Sequence, residues 1–248
     1  MEENRATFRF YEELNDFLPP ERRKRRFEVR FKGNPAIKDT IESLNVPHTE
    51  VDLILINGKS VPFSQKLNDN ENVSVYPVFE SMDITTTQKL RPAPLRQVRF
   101  VLDVHLGKLA RLLRLLGFDC LYRNDFLDEE IVRIASEQNR TVLTRDIGIL
   151  KQSKVTHGRW IRSRKPLSQL KETIQRFNLC SQIKPFSRCM MCNGLIHPVS
   201  KKQVQDMLEE KTKQHYDEFA RCSRCGKVYW KGSHYGKLDS VVKEVCGN

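Results

Sequence analysis

The period of the apolar positions changes along the chain, and each change predicts a different kind of element. In 6–11 (ATFRFY) and 25–31 (RRFEVRF), apolar and polar side chains alternate, the two-residue repeat of a half-buried strand. Pro19 and Pro20 break the chain between them. In 35–44 (PAIKDTIESL), Ile37, Ile41 and Leu44 recur at helical spacing, and Pro35 suits the first turn of that helix. Residues 51–56 (VDLILI) predict a strand followed by the turn pair Asn57-Gly58, and 73–79 (VSVYPVF) a last strand. Residues 83–96 (DITTTQKLRPAPLR) have no period and two prolines, which predicts a linker.

From residue 97 strands and helices alternate. The strand 98–102 (VRFVL) ends at Asp103, and 106–116 (LGKLARLLRLL) is an amphipathic helix with Gly117 as its stop. A short strand at 119–122, a helix at 128–139 opened by acids from Asp128, and a strand at 141–144 (TVLT) follow. That alternation predicts a parallel sheet with crossover helices. Weaker patterns continue at 158–162 and 166–178. The chain thus divides into a mixed α+β domain at 1–82, a linker at 83–96, an α/β core at 97–182 and a C-terminal segment at 183–248.

Composition adds a partner. Of 248 residues, 39% are hydrophobic and 30% charged, enough for two or three small folded domains. No apolar run is long enough for a bilayer, and Met1–Arg9 is charged throughout, so neither a membrane partner nor a secretory leader is expected and the expected location is the cytoplasm. The net charge is +12 and unevenly spread. Residues 1–85 hold 12 basic and 15 acidic side chains; residues 86–248 hold 31 and 16. The second part is expected to face a polyanion, the alternative being a basic surface kept for solubility.

Candidate chemistry gathers at the strand ends. Asp103 closes the first strand of the α/β core, Asp125 follows the second with Asp128, Glu129 and Glu130 behind it, and Asp146 follows the third. In a parallel sheet the carboxyl ends of the strands share one edge, where ligands bind. Acids converging there are tolerable around Mg²⁺ or Mn²⁺, which activates water for phosphodiester hydrolysis. Taken singly, each acid reads first as an ordinary one, Asp103 and Asp128 as caps of the helices after them; the metal site is favoured for the set. Lys108, Arg111 and Arg114 recur every three residues in the helix after Asp103. They form a basic stripe suited to a nucleic-acid backbone, the alternative being a solvated helix face, and Arg145 beside Asp146 is suited to the same contact.

Seven cysteines include two Cys-x-x-Cys pairs, Cys189/Cys192 and Cys222/Cys225, separated by 29 residues. Two such turns complete a tetrahedral Cys₄ zinc site, read here as structural, with Gly194 and Gly226 giving the turns their freedom. After the second pair, Tyr229, Trp230, His234 and Tyr235 are placed to stack on bases with Lys231 near phosphate, or to close the ribbon on the core.

Two resemblances sharpen this reading. ILINGKSV followed by LNDNENVSVYPVF resembles the β-grasp fold of ubiquitin and the small sulfur carriers, over about residues 5–82. The chain continues through Glu80-Ser81-Met82-Asp83 without a terminal Gly-Gly, so thiocarboxylate chemistry is not implied; a docking or RNA-positioning module is. FVLDVHLGKLARLLRLLGFD, NDFLDEE and RTVLTRD resemble the Mut-seven C-terminal ribonuclease family of PIN-like nucleases, over about 97–240, and the Trp-x-Gly-Ser-His run is characteristic of it. That resemblance implies a metal-dependent ribonuclease whose Mg²⁺ or Mn²⁺ ligands are Asp103, Asp146 and one or two acids from Asp125–Glu130, with Asp125 and Asp128 favoured and Glu129 a competitor. It implies RNA as substrate, and the side chains read above as able to hold it are Lys108, Arg111, Arg145, Trp230 and His234. The β-grasp domain would recruit a protein or ribonucleoprotein partner. The alternative is a non-catalytic RNA-binding adaptor, in which the acids are caps.

Overall fold

The computed structural model describes residues 3–77, 90, 98–233 and 235–245. The fold class is the one expected: an N-terminal β-grasp sheet, a parallel-sheet core, and a cysteine cluster of zinc-ribbon type. The chain forms two compact units, one from the N-terminal region with Asp146–Trp160, the other from Val98–Arg145 with Ile161 onward.

In the first unit the strands are β1 (Glu3–Phe10), β2 (Phe27–Lys32), β3 (Val51–Ile56), β4 (Lys59–Ser60) and β5 (Asn72–Pro77), with helix α1 (Ile37–Ser43) after β2. The sheet order is β2-β1-β5-β3-β4. β1 and β5 are parallel, Phe8 opposite Val73 and Phe10 opposite Val75, and the other pairs are antiparallel. Alternation puts Ala6, Phe8 and Phe10 of β1 into a core with Ile37, Ile41, Ile54, Val73 and Val75. Asn57 (φ 49°) and Gly58 (φ 80°) turn β3 into β4, the short strand the sequence pattern leaves out. Pro35 stands before α1 instead of in its first turn, because Ala36 bridges Lys66 and holds that stretch extended. Residues 78 and 79 of the expected last strand lie outside the described residues, as does the linker 83–96 apart from Leu90.

The second unit begins with β6 (Phe100–Leu102), α2 (Gly107–Leu115), β7 (Cys120–Leu121), α3 (Asp128–Gln138) and β8 (Thr141–Thr144). β6 pairs in parallel with both β7 and β8, as the alternation predicts. The chain then passes through α4 (Ile147–Leu150) and β9 (Gly158–Trp160), which pack with the first unit, and returns in α5 (Pro166–Arg176). The ribbon sheet is β10 (Ile196–Val199), β11 (Phe219–Cys222) and β12 (Val228–Trp230), all antiparallel. Between β10 and β11 the spacer forms two 3-10 turns, Lys201–Gln203 and Gln205–Met207, and a short helix, α6 (Glu210–His215), and α7 (Tyr235–Val245) ends the described chain. Phe100, Leu102, Leu109, Leu113, Leu143, Leu170 and Ile174 form the core, closed by Val241, Val242 and Val245 of α7.

The run Asp146–Trp160 groups with the first unit. Ile147 and Trp160 pack against the β-grasp core, Trp160 with its ring 5.1 Å from that of Phe17. Among the described residues no helix is long and apolar enough to cross a membrane.

Candidate active site and metal centre

Asp103 is 3% exposed at the carboxyl end of β6. Its Oδ1 accepts the His105 amide at 2.9 Å, capping the turn Val104–Leu106. Its Oδ2 accepts the Thr144 hydroxyl at 2.7 Å and the Arg145 amide at 3.2 Å. The parallel sheet therefore brings Asp103 against the carboxyl end of β8.

The other acids have different surroundings. Asp146 is exposed and caps α4, its Oδ1 accepting the Gly148 amide at 2.6 Å. Asp125 is exposed and held by a forked pair from Arg123, Nε at 2.8 Å and Nη2 at 3.0 Å, which lowers its carboxyl below the usual range. Asp128 is exposed and is the first residue of α3, not its cap. Glu130 Oε2 accepts the Leu127 amide at 3.3 Å, so the helix is opened one residue earlier and Asp128 sits inside the positive first turn. Among the described residues, the only set of three or more acids, histidines or cysteines that could hold one ion is the four ribbon cysteines.

Lys108 and Arg111 are exposed on α2, and Arg145 is exposed after β8. Arg114 departs from the expected basic stripe. It is 4% exposed and turned inward, its guanidinium donating to the Cys120 carbonyl at 2.9 and 2.8 Å and to the carbonyls of Met190 and Met191 at 3.2 and 2.9 Å. It ties α2 to the first cysteine turn and is not available to a ligand.

The four ribbon sulfurs lie within 4.8 Å of one another, with Cys189 Sγ 3.7 Å from Cys225 Sγ and Cys192 Sγ 3.4 Å from Cys222 Sγ. An ion about 2.3 Å from each of four sulfurs spaces them about 3.8 Å apart, so this set fits one tetrahedral metal such as zinc. The two turns are built alike. Cys189 N donates to Gly194 O and Asn193 N to Cys189 O; Cys222 N donates to Lys227 O and Gly226 N to Cys222 O. The left-handed position is Asn193 (φ 67°) in the first turn and Gly226 (φ 74°) in the second. Gly194 is needed for a different reason than backbone freedom: a Cβ there would lie 2.8 Å from Cys222 Sγ. Burial raises the Cys189 thiol, but hydrogen bonds from the Tyr229 hydroxyl at 3.0 Å and from nearby amides outweigh it, bringing it down to about 6. Cys180 is disulfide-bonded.

A network the sequence pattern does not announce locks the ribbon onto the core. Asp119 accepts from Arg140 at 2.8 Å and from the Asn193 amide group at 2.8 Å, while Asn193 Oδ1 accepts the Cys120 amide at 3.0 Å. The only hint is Asn193 directly after Cys192, where a left-handed turn residue is required. Beside β12 opens a cavity of about 870 Å³, walled by Phe219, Val228, Tyr229, Trp230 and Tyr235. Trp230 is 40% exposed. The Tyr235 ring stacks on Phe186, centroids 4.7 Å apart, and Lys231 is engaged by Glu218 at 2.9 Å. His234 lies outside the described residues.

The Mut7-C RNAse domain model matches residues 98–242, and the Mut7-C ubiquitin model matches residues 3–83. The first covers more than half of the chain, and the chain belongs to that family. No curated protein and no solved structure matches it.

Proposed function

We propose that this member of the Mut7-C RNAse domain family is a metal-dependent ribonuclease that hydrolyses RNA phosphodiester bonds. Family membership across 98–242 carries the reading, and the strand-end acid Asp103 supports it. Asp103, Asp125, Asp128 and Asp146 are the proposed catalytic acids. Their hard carboxylate oxygens suit Mg²⁺ or Mn²⁺, and a magnesium ion is commonly held by one or two carboxylates with waters and substrate phosphates, so a closed cage of acids is not required. Such an ion supplies water activation and stabilises charge on the phosphate.

The side chains proposed to hold RNA are Lys108, Arg111, Arg145 and Trp230, with His234 a further proposed contact. The ribbon, loaded with structural zinc, frames the cavity beside Trp230. The β-grasp domain is the proposed docking point for a protein or ribonucleoprotein. The boundaries 1–82, 83–96, 97–182 and 183–248 are kept as units of sequence. A cytoplasmic setting keeps the ribbon thiols reduced for zinc and requires the Cys180 disulfide to open there.

One observation favours a second reading, an RNA-binding adaptor without catalysis. Asp103 and Asp146 both cap the turn that follows them. Labelled RNA incubated with the zinc-loaded protein in Mg²⁺, Mn²⁺ or EDTA separates the two. Asn caps as well as Asp, so Asp146→Asn keeps α4 capped and isolates the chemistry. The expected result is metal-dependent cleavage that falls on the order of 10³-fold in Asp146→Asn with binding retained. Equal cleavage by the variant removes Asp146 from the site. Binding without cleavage in every metal selects the adaptor.

A further inference from the structure

Glu50 is fully buried in the β-grasp unit, where an unmatched carboxylate is costly. Its partners come from 109 and 110 residues further along the chain: Arg159 Nη1 donates to Oε2 at 2.6 Å and the Trp160 amide to Oε1 at 2.6 Å. Arg159 also reaches Glu13 at 3.3 Å. The same arrangement recurs at His48, which is 7% exposed: one ring nitrogen meets Glu42 Oε1 at 2.6 Å and the other the Val155 carbonyl at 2.9 Å. Lys151 Nζ donates to Asn45 Oδ1 at 2.9 Å. Ile147 and Trp160 complete the apolar core from which Phe17 and Ile37 also project.

These contacts hold the start, middle and end of the run 147–160, and they combine apolar burial with buried charge. A module built only to dock other molecules would leave this face to solvent. Here the dependence is mutual, because Glu50 needs Arg159 as much as the run needs Glu50. The residue at the head of the run is Asp146, which caps α4 directly.

We propose that the β-grasp domain is a built-in clamp for the Asp146 segment, with Glu50, Arg159 and His48 as positioning residues. By fixing α4 and β9 they fix the backbone from which the Asp146 carboxylate projects. The kinetic consequence rests on the nuclease reading above; the clamp itself does not.

The test uses the full chain and reads amide hydrogen exchange together with RNA cleavage. In Glu50→Ala, exchange over 147–160 is expected to rise about tenfold or more, while exchange over 100–145 and the far-UV spectrum stay as in wild type. The expected kcat loss is on the order of 10²-fold with KM nearly constant, the mark of a misplaced group as opposed to lost binding. Glu50→Gln still accepts the Trp160 amide and is expected to recover part of both. Wild-type exchange over 147–160 in folded Glu50→Ala overturns the clamp. A loosened run with unchanged kcat overturns the positioning of Asp146. Should Glu50→Ala fail to fold, His48→Gln is read by the same two criteria. Wild-type protein that cleaves no RNA sinks the nuclease reading alone, and the exchange data then decide the clamp.

Discussion

Asp119 sits between two buried or half-buried guanidinium groups and an amide, all in the second unit. Burial raises its carboxyl, but the hydrogen bonds from Arg140 and Asn193 and the charges of Arg140 and Arg188 outweigh that, so its pKa is lowered. A carboxylate lowered on folding stabilises the native state fully above its unfolded value, about 3.9, and that stabilisation is lost as pH falls through the folded value. Asp119→Asn is therefore expected to lower stability at pH 7 by about 1–3 kcal/mol and to flatten the decline below pH 4. Urea unfolding at pH 7 and pH 3 checks it; an equal loss at both pH values would count against the charge. Arg114 gives the companion case. Lysine cannot reproduce a fork that serves three carbonyls, so Arg114→Lys is expected to cost on the order of 2 kcal/mol, measured by the same unfolding. Its inward turn was legible in principle. Three residues advance a helix by 300°, so from Lys108 to Arg114 the direction drifts by about 120°, enough to leave the solvent face. A repeat of three is not a stripe.

The elements that followed their sequence pattern are those whose burial is local. β3 and β8 have the bounds the apolar runs predict, and α3 and α5 come within one or two residues. The cysteine turns were legible because two thiols per turn form a short-range pattern, whereas their mooring through Asp119, Arg140 and Asn193 joins residues up to 74 apart and leaves no local trace. α7 left one: Leu238, Val241, Val242 and Val245 recur at helical spacing, and three of them reach the core. The likeness of the two cysteine turns argues for one ion per chain. Elemental analysis is expected to give one zinc, and Cys222→Ser to lose it. Because Arg114 and Asn193 moor the ribbon to α2 and β7, metal loss is expected to lower the thermal transition of the second unit and leave that of the β-grasp unit unchanged. A single transition shifted as a whole, or full zinc content in the variant, argues against this.

At the scale of the whole molecule, periodicity tells which face of an element is buried but not what covers it. That is why the pattern places 146–160 in the α/β core without showing that Ile147 and Trp160 pack against the β-grasp core. The same limit applies to the acids: the strand-end rule places Asp103 against β8, but it does not foresee Arg123 holding Asp125 or Leu127 opening α3. The two divisions of the chain differ in what they expect of a fragment beginning at Val98. If 98–248 were self-sufficient, its run 146–160 would resist trypsin as well as in the full chain. With the β-grasp residues gone, Arg159 loses Glu50 and Glu13, the Val155 carbonyl loses His48, and Ile147 and Trp160 lose their core. Each of those two half-buried apolar side chains forfeits roughly half of the 1.5–3 kcal/mol of full burial, more than a short helix and a three-residue strand can replace. The run also carries cleavage sites at Lys151, Lys154 and Arg159, with Arg145 just before it. The fragment is therefore expected to be cut by trypsin at these four positions at least about tenfold faster than the full chain, while the cystine- and zinc-bearing part downstream persists. Equal resistance of fragment and full chain would mean that the core holds the run without the β-grasp domain.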